Sequence, residues 1–172
     1  MGVDLHMHII DSKGNFLAKN LFEGERDYDW FDALVGSEGV DSFKQLPSLD
    51  GIPEGLKDKI FSSEKELKSY YGFKYITIKD FYNWFWKNRP DYNAYWTTKR
   101  QAWLYQTKKI VPSLQLYSLG EALEDRGCPI EDIVFIDVVD EEDNYKKLIK
   151  IIEENPIFSK MNDSYLVYYF DR

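Results

Sequence analysis

The first ten residues alternate apolar and polar side chains with period two, with Val3, Leu5, Met7 and Ile9 on one set of positions and Asp4, His6 and His8 on the other. Successive side chains of a strand point to opposite faces, so this stretch predicts a strand with a core-facing row and a polar row spaced about 7 Å per step. The turn cluster Asp11-Ser12-Lys13-Gly14-Asn15 and the run from Phe16 to Phe22 extend it into an N-terminal β-hairpin. Asp27 is placed to cap a helix carrying Tyr28, Trp30, Phe31, Leu34 and Val35 and closed by Gly36. Residues 36–56 are rich in Gly, Pro, Ser and Asp and predict a long loop. Ser63 and Glu66 form a capping box for a helix running to Tyr71 and closed by Gly72.

After a short extended piece at 73–76, Ile78, Phe81, Tyr82 and Phe85 recur at helical spacing, a stripe that Arg89-Pro90 ends. A helix is predicted from about Ala94 to Lys109, a loop after Pro112, and a short helix over 118–126 closed by Gly127. Residues 133–139 read as a buried strand, 141–154 as a helix with Tyr145, Leu148, Ile149 and Ile152 on one stripe, and 165–170 as a last strand. Strands at both ends with helices between predict a single α+β domain spanning 1–172. Its one mixed or mostly antiparallel sheet would begin with the hairpin and carry helices packed on it. If the strands at 133–139 and 165–170 are parallel neighbours, the helix between them makes a right-handed crossover.

The 172 residues carry a formal charge of −8, which opposes binding to long nucleic acid or to an anionic membrane. No apolar run approaches a membrane span and no signal peptide is visible. The single Cys128 excludes an internal disulfide and suits a reducing cytosol, so the expected location is cytoplasmic. Against this acidic background, residues 92–120 contain no carboxylate. They interleave Lys99, Arg100, Lys108 and Lys109 with Tyr92, Tyr95, Trp96, Trp103, Tyr105 and Tyr117. Aromatic faces stack on bases, and Arg and Lys neutralise phosphates. If the segment is helical, Trp96, Arg100 and Trp103 share a face with Lys99 beside them. With Lys108, they are the candidate contacts of a small anionic, nucleotide-like ligand. The plainer alternative is an amphipathic helix with core aromatics and solvated cations.

A second candidate is the row Asp4, His6 and His8. Two imidazoles and a carboxylate are competent ligands for a divalent transition metal, and the string Asp-Leu-His-Met-His resembles the first strand of the amidohydrolase and PHP phosphoesterase families. Those barrels use further histidines, whereas this chain has two in all. The alternative is a half-buried polar row hydrogen-bonded to its neighbours. No nucleophile elbow, P-loop or dinucleotide fingerprint is present, so no catalytic residue is assigned and no cofactor is expected outside the metal reading.

The opening residues and Arg26-Asp27-Tyr28-Asp29-Trp30-Phe31 together resemble a family of small, mostly uncharacterised bacteriophage proteins. Its members open Met-Gly-Cys-Asp-Ile-His, continue with Arg-Asn-Tyr-Asp-Leu-Phe and end in a strand closing on Phe-Asp. Here Met1, Gly2, Asp4, His6, Arg26, Tyr28, Asp29, Phe31 and Phe170-Asp171 match. Val3 replaces the cysteine, and Gly72-Phe73-Lys74-Tyr75 stands where the family has a histidine-containing stretch. The resemblance implies a phage accessory protein acting in the host cytoplasm. One inference about the chain itself follows: Asp4, His6, Arg26 and Asp29 would converge as a polar cluster, Arg26 pairing with an aspartate and His6 bonded among them, while His8 is left more exposed. The leading expectation is therefore an accessory protein that sequesters a nucleotide-like ligand and counteracts host defence signalling. A metal-dependent hydrolase centred on Asp4, His6 and His8 and an inhibitor that binds a host protein are the alternatives. Self-association is left open.

Overall fold

A computed structural model describes residues 3–37, 39, 41–119 and 129–171. The chain groups into two compact units, one of residues 1–88 and 148–172, the other of 89–147.

The first unit is built on a five-stranded sheet in which every neighbouring pair is antiparallel. β1 (Leu5–Asp11) and β2 (Phe16–Ala18) form the expected hairpin, and β7 (Ser164–Asp171) lies between β1 and β4 (Tyr70–Thr77), with β3 (Leu49–Asp50) at the edge. Pairing of Leu5, Met7 and Ile9 with Phe170, Tyr168 and Leu166 aligns six buried side chains on one face, as the alternation predicts. α1 (Tyr28–Val35) packs there through Phe31 on Phe170 at 5.7 Å, and the Tyr168 hydroxyl donates to the Leu34 carbonyl at 2.9 Å. Asp27 caps α1 by accepting from Trp30 N–H, and Gly36 closes it at φ 76. α4 (Ile78–Asn88) also packs on β4 and β7, burying Ile78, Phe81 and Phe85.

The opposite face carries Ile10, Val167 and Tyr169, covered by Leu56 and Phe61 with Ile52, Ile60 and Leu67 around them. That cover comes from the stretch around α2 (Lys57–Ile60) and α3 (Glu64–Leu67). The sheet is thus packed on both sides, which explains why its central strand β7 is buried at nearly every position.

Several boundaries differ from the sequence reading. The second strand stops at Ala18 rather than Phe22, because the chain turns through Asn20 and Phe22 at positive φ. The long loop 36–56 contains a 3₁₀ turn at Ser42–Lys44 and the edge strand β3. The helix at 63–71 is a single turn. Ser63 Oγ accepts from Glu66 N–H as expected, but the Glu66 carboxylate reaches Ser62, and Tyr70 and Tyr71 already belong to β4. Tyr-Tyr-Gly-Phe-Lys-Tyr-Ile-Thr is a strand composition, and pairing with β7 overrides the weak helical signal before it.

In the second unit, the helix expected over 94–109 begins as a strand, β5 (Tyr92–Thr98), which pairs antiparallel with β6 (Ile133–Val139), and continues as α5 (Lys99–Lys108). Trp96 also bridges Leu116 through two backbone hydrogen bonds of 2.7 and 2.9 Å. β6 is half-exposed rather than buried, with Phe135 53% accessible. It lies in a different sheet from β7, so the helix between them, α6 (Asn144–Ile152), makes no crossover. Of the helix expected over 118–126, all but Ser118 and Leu119 lies outside the described residues. Among the described residues no helix is long and apolar enough to cross a membrane.

Candidate functional site

The change from strand to helix at Thr98 builds the principal site. Tyr95 and Thr97 are buried on one face of β5, while Trp96 packs edge-to-face on Phe135 at 5.1 Å on the other. Thr98 Oγ1 accepts from Gln101 N–H at 3.2 Å and starts α5, so Lys99 and Arg100 fall in its first turn, both exposed. That turn holds no acid. The free N–H groups of a helix start carry roughly half a positive charge. Two cations there add to it where most helices place carboxylates, and neither pairs with a carboxylate among the described residues. The result is a helix start that carries two cations and no acid in its first turn.

Two clefts meet at this turn. One, of about 340 Å³, is lined by Thr98, Arg100, Gln101, Leu104, Ile110, Val111, Pro112 and Ser113. The other, of about 470 Å³, is lined by Thr98, Lys99, Arg100, Pro129 and Asp132. Thr98 and Arg100 border both. The first is walled by aliphatic side chains and by Gln101, whose Oε1 accepts from Leu114 N–H at 3.0 Å and Ser113 Oγ at 3.4 Å, tying the 110–114 segment to α5. Volumes in this range suit small ligands.

Of the five residues expected to contact a ligand, Lys99 and Arg100 line these clefts. Trp96 sits on the preceding strand, so it does not share a helical face with Arg100 and Trp103. Trp103 is on α5 and 55% exposed but borders neither cleft, and Lys108 lies in the last turn, where its charge complements the helix C-terminus. Thr98, Gln101, Leu104, Ile110 and Pro112 were not legible as lining. Only the strand-to-helix change reveals that the loop after α5 folds back beside its start.

In the first unit, the polar row of β1 divides. His8 is 5% exposed, which corrects the expectation that it is the more accessible histidine. Its Nδ1 accepts from Asn20 N–H at 3.1 Å, so in the neutral ring Nε2 carries the proton and faces the Tyr169 hydroxyl at 3.0 Å. Burial, with smaller contributions from His6 and Lys19, lowers its pKa from 6.5 to about 4. His6 stacks on Tyr169 at 5.3 Å and meets the edge of Tyr70 at 5.0 Å. Its Nε2 is buried without a hydrogen bond, 3.8 Å from Asp171 Oδ2. Asp4 and Asp171 are joined through the backbone, Asp4 N–H donating to Asp171 Oδ1 at 2.9 Å, and Arg26 Nε lies 3.9 Å from Asp4. The cluster is therefore Asp4, His6, Arg26 and Asp171, and Asp29 stays exposed on the first turn of α1. Asp4, His6 and His8 do not converge on a point: the Tyr169 ring stands against both imidazoles, and both His8 nitrogens are engaged. Among the described residues no three His, Cys, Asp or Glu side chains gather where a metal ion could be held.

No protein-family model, curated protein or solved structure matches the chain.

Proposed function

We propose that this protein binds a small phosphate-bearing, nucleotide-like ligand at the start of α5 and acts by holding it rather than transforming it. The observation that carries this reading is the placement of Lys99 and Arg100 in the acid-free first turn of α5, at the point where two clefts meet. Helix N–H groups and a guanidinium are the usual partners of phosphate oxygens, and the aliphatic cleft on the other side of Arg100 suits the ligand's less polar end. Holding is favoured over turnover because, among the described residues, the lining side chains include no imidazole or thiol and Asp132 is their one carboxylate. On the resemblance to phage proteins, the ligand would be a nucleotide signal of host defence, removed by sequestration.

A thermal-shift panel of linear and cyclic nucleotides, followed by chromatography of the recovered ligand, tests this reading. At least one nucleotide should raise the unfolding temperature and be recovered intact, with the shift lost in Arg100→Ala. No shift with any nucleotide at millimolar concentration would refute binding, and recovery of a cleaved product would refute sequestration.

A further inference from the structure

The aliphatic cleft has a hydrogen-bonding side chain whose orientation is fixed by the backbone. Leu114 N–H can only donate, so the Gln101 atom that it meets at 3.0 Å must be the amide oxygen. Ser113 Oγ, at 3.4 Å from the same oxygen, uses a second acceptor site. The Gln101 Nε2 group is left with two N–H donors and no partner among the described residues, in a side chain that lines the cleft beside Leu104, Ile110 and Pro112. Glutamine ordinarily reads adenine bidentately, its oxygen accepting from the exocyclic amine and its nitrogen donating to the ring. Here the oxygen is already occupied, and what remains is a donor. On its Watson–Crick and Hoogsteen edges adenine presents a ring acceptor beside its amine, so a bond from Nε2 to that ring nitrogen would leave the amine against an oxygen with no acceptor site free, while guanine O6 and N7 or uracil O4 can accept from Nε2 with no donor beside them.

We propose that the cleft beside α5 receives the base of the ligand and that Gln101 selects bases bearing an oxo acceptor, of guanine or uracil type, over adenine. This rests on the nucleotide-binding reading and adds the identity of the base. The aliphatic walls contribute apolar contact that any base would share, so discrimination falls on Nε2.

Titration calorimetry of the whole protein with guanosine, uridine and adenosine monophosphates, and with inorganic pyrophosphate, tests both levels separately. The expected result is binding of the guanosine or uridine nucleotide about tenfold or more tightly than the adenosine one, the effect of one hydrogen bond gained against one donor left unpaired. Gln101→Glu keeps an oxygen for Leu114 N–H and replaces the donor by an acceptor. Its added charge opposes every phosphate alike, so the ratio of affinities is the readout, and it should fall to near one or reverse. Equal affinities in the wild-type protein, an adenosine preference, or an unchanged ratio in Gln101→Glu would overturn base selection while leaving nucleotide binding in place. Binding of pyrophosphate as tight as that of every nucleotide would also overturn it. No heat with any of the four compounds would overturn the nucleotide-binding reading itself.

Discussion

His8 sits neutral between the Asn20 N–H and the Tyr169 hydroxyl, and this carries a measurable acid sensitivity. The folded pKa of about 4 lies below the 6.5 of a free imidazole. As pH falls below 6.5 the unfolded chain takes up a proton that the folded chain refuses, so stability falls until the folded ring titrates near pH 4. Each pH unit in that window is worth about 1.4 kcal/mol. Acidifying from pH 7 to pH 4 therefore removes about 3 kcal/mol through this residue. Asp143 acts in the opposite sense. Burial raises its pKa from 3.8 to about 6, so the folded chain takes up that proton first and gains stability over much of the same range. The wild-type profile alone therefore masks both effects. Gln in place of His8 can accept from Asn20 and donate to Tyr169 but does not titrate. Urea unfolding followed by tryptophan fluorescence at pH 7, 6, 5 and 4 should show the stability difference between His8→Gln and the wild type moving by about 3 kcal/mol in favour of the variant. Curves that stay parallel within about 0.5 kcal/mol would refute a neutral His8 and the tautomer derived from it.

Other side chains make further measurable demands. Gly72 lies at φ 66 in the β4 irregularity, and a Cβ there would stand 3.1 Å from the Phe170 ring, so Gly72→Ala should cost about 1–2 kcal/mol in urea unfolding. Asp91 is wholly buried and bridged bidentately by Arg89 at 2.8 Å on both arms, with Lys146 Nζ at 3.8 Å. Arg89→Met should cost about 3 kcal/mol or more, and adding Asp91→Asn should recover part of that because the buried charge is gone. Ligand affinity, being carried by two exposed cations, should fall as salt is raised from 50 to 200 mM, and less steeply in Lys99→Ala. A salt-independent affinity would contradict phosphate recognition there.

Period-two alternation made β1 readable, and its register against β7 follows from the same parity, so the main sheet's core was largely legible. The α+β class followed from it. Local signals failed where two tendencies competed within one stretch. Tyr92–Thr98 carries aromatics at spacings that fit a helix, but its Thr and Tyr content and an available partner in β6 make it a strand. That error displaced Trp96 from the face assigned to it while leaving Lys99 and Arg100 in place. The polar row of β1 was expected to hold an exposed His8 and to meet Asp29, yet His8 is buried and Asp29 stands apart. The strand and the helix start show which residues are polar, not which ones the β2 turn and the last strand will cover. Asp171 and Gln101 take their roles from partners at 167 and 13 residues' separation, which no local pattern encodes.

The most direct test of the anion-binding account is a two-dimensional amide NMR titration of the whole protein with pyrophosphate and with the nucleoside monophosphates. Saturable shifts should centre on the amides of Thr98 to Gln101 and of Ile110 to Leu114, and Arg100→Ala should abolish them. Absent shifts, or shifts centred on His6, Tyr169 and Asp171 in the other unit, would contradict it.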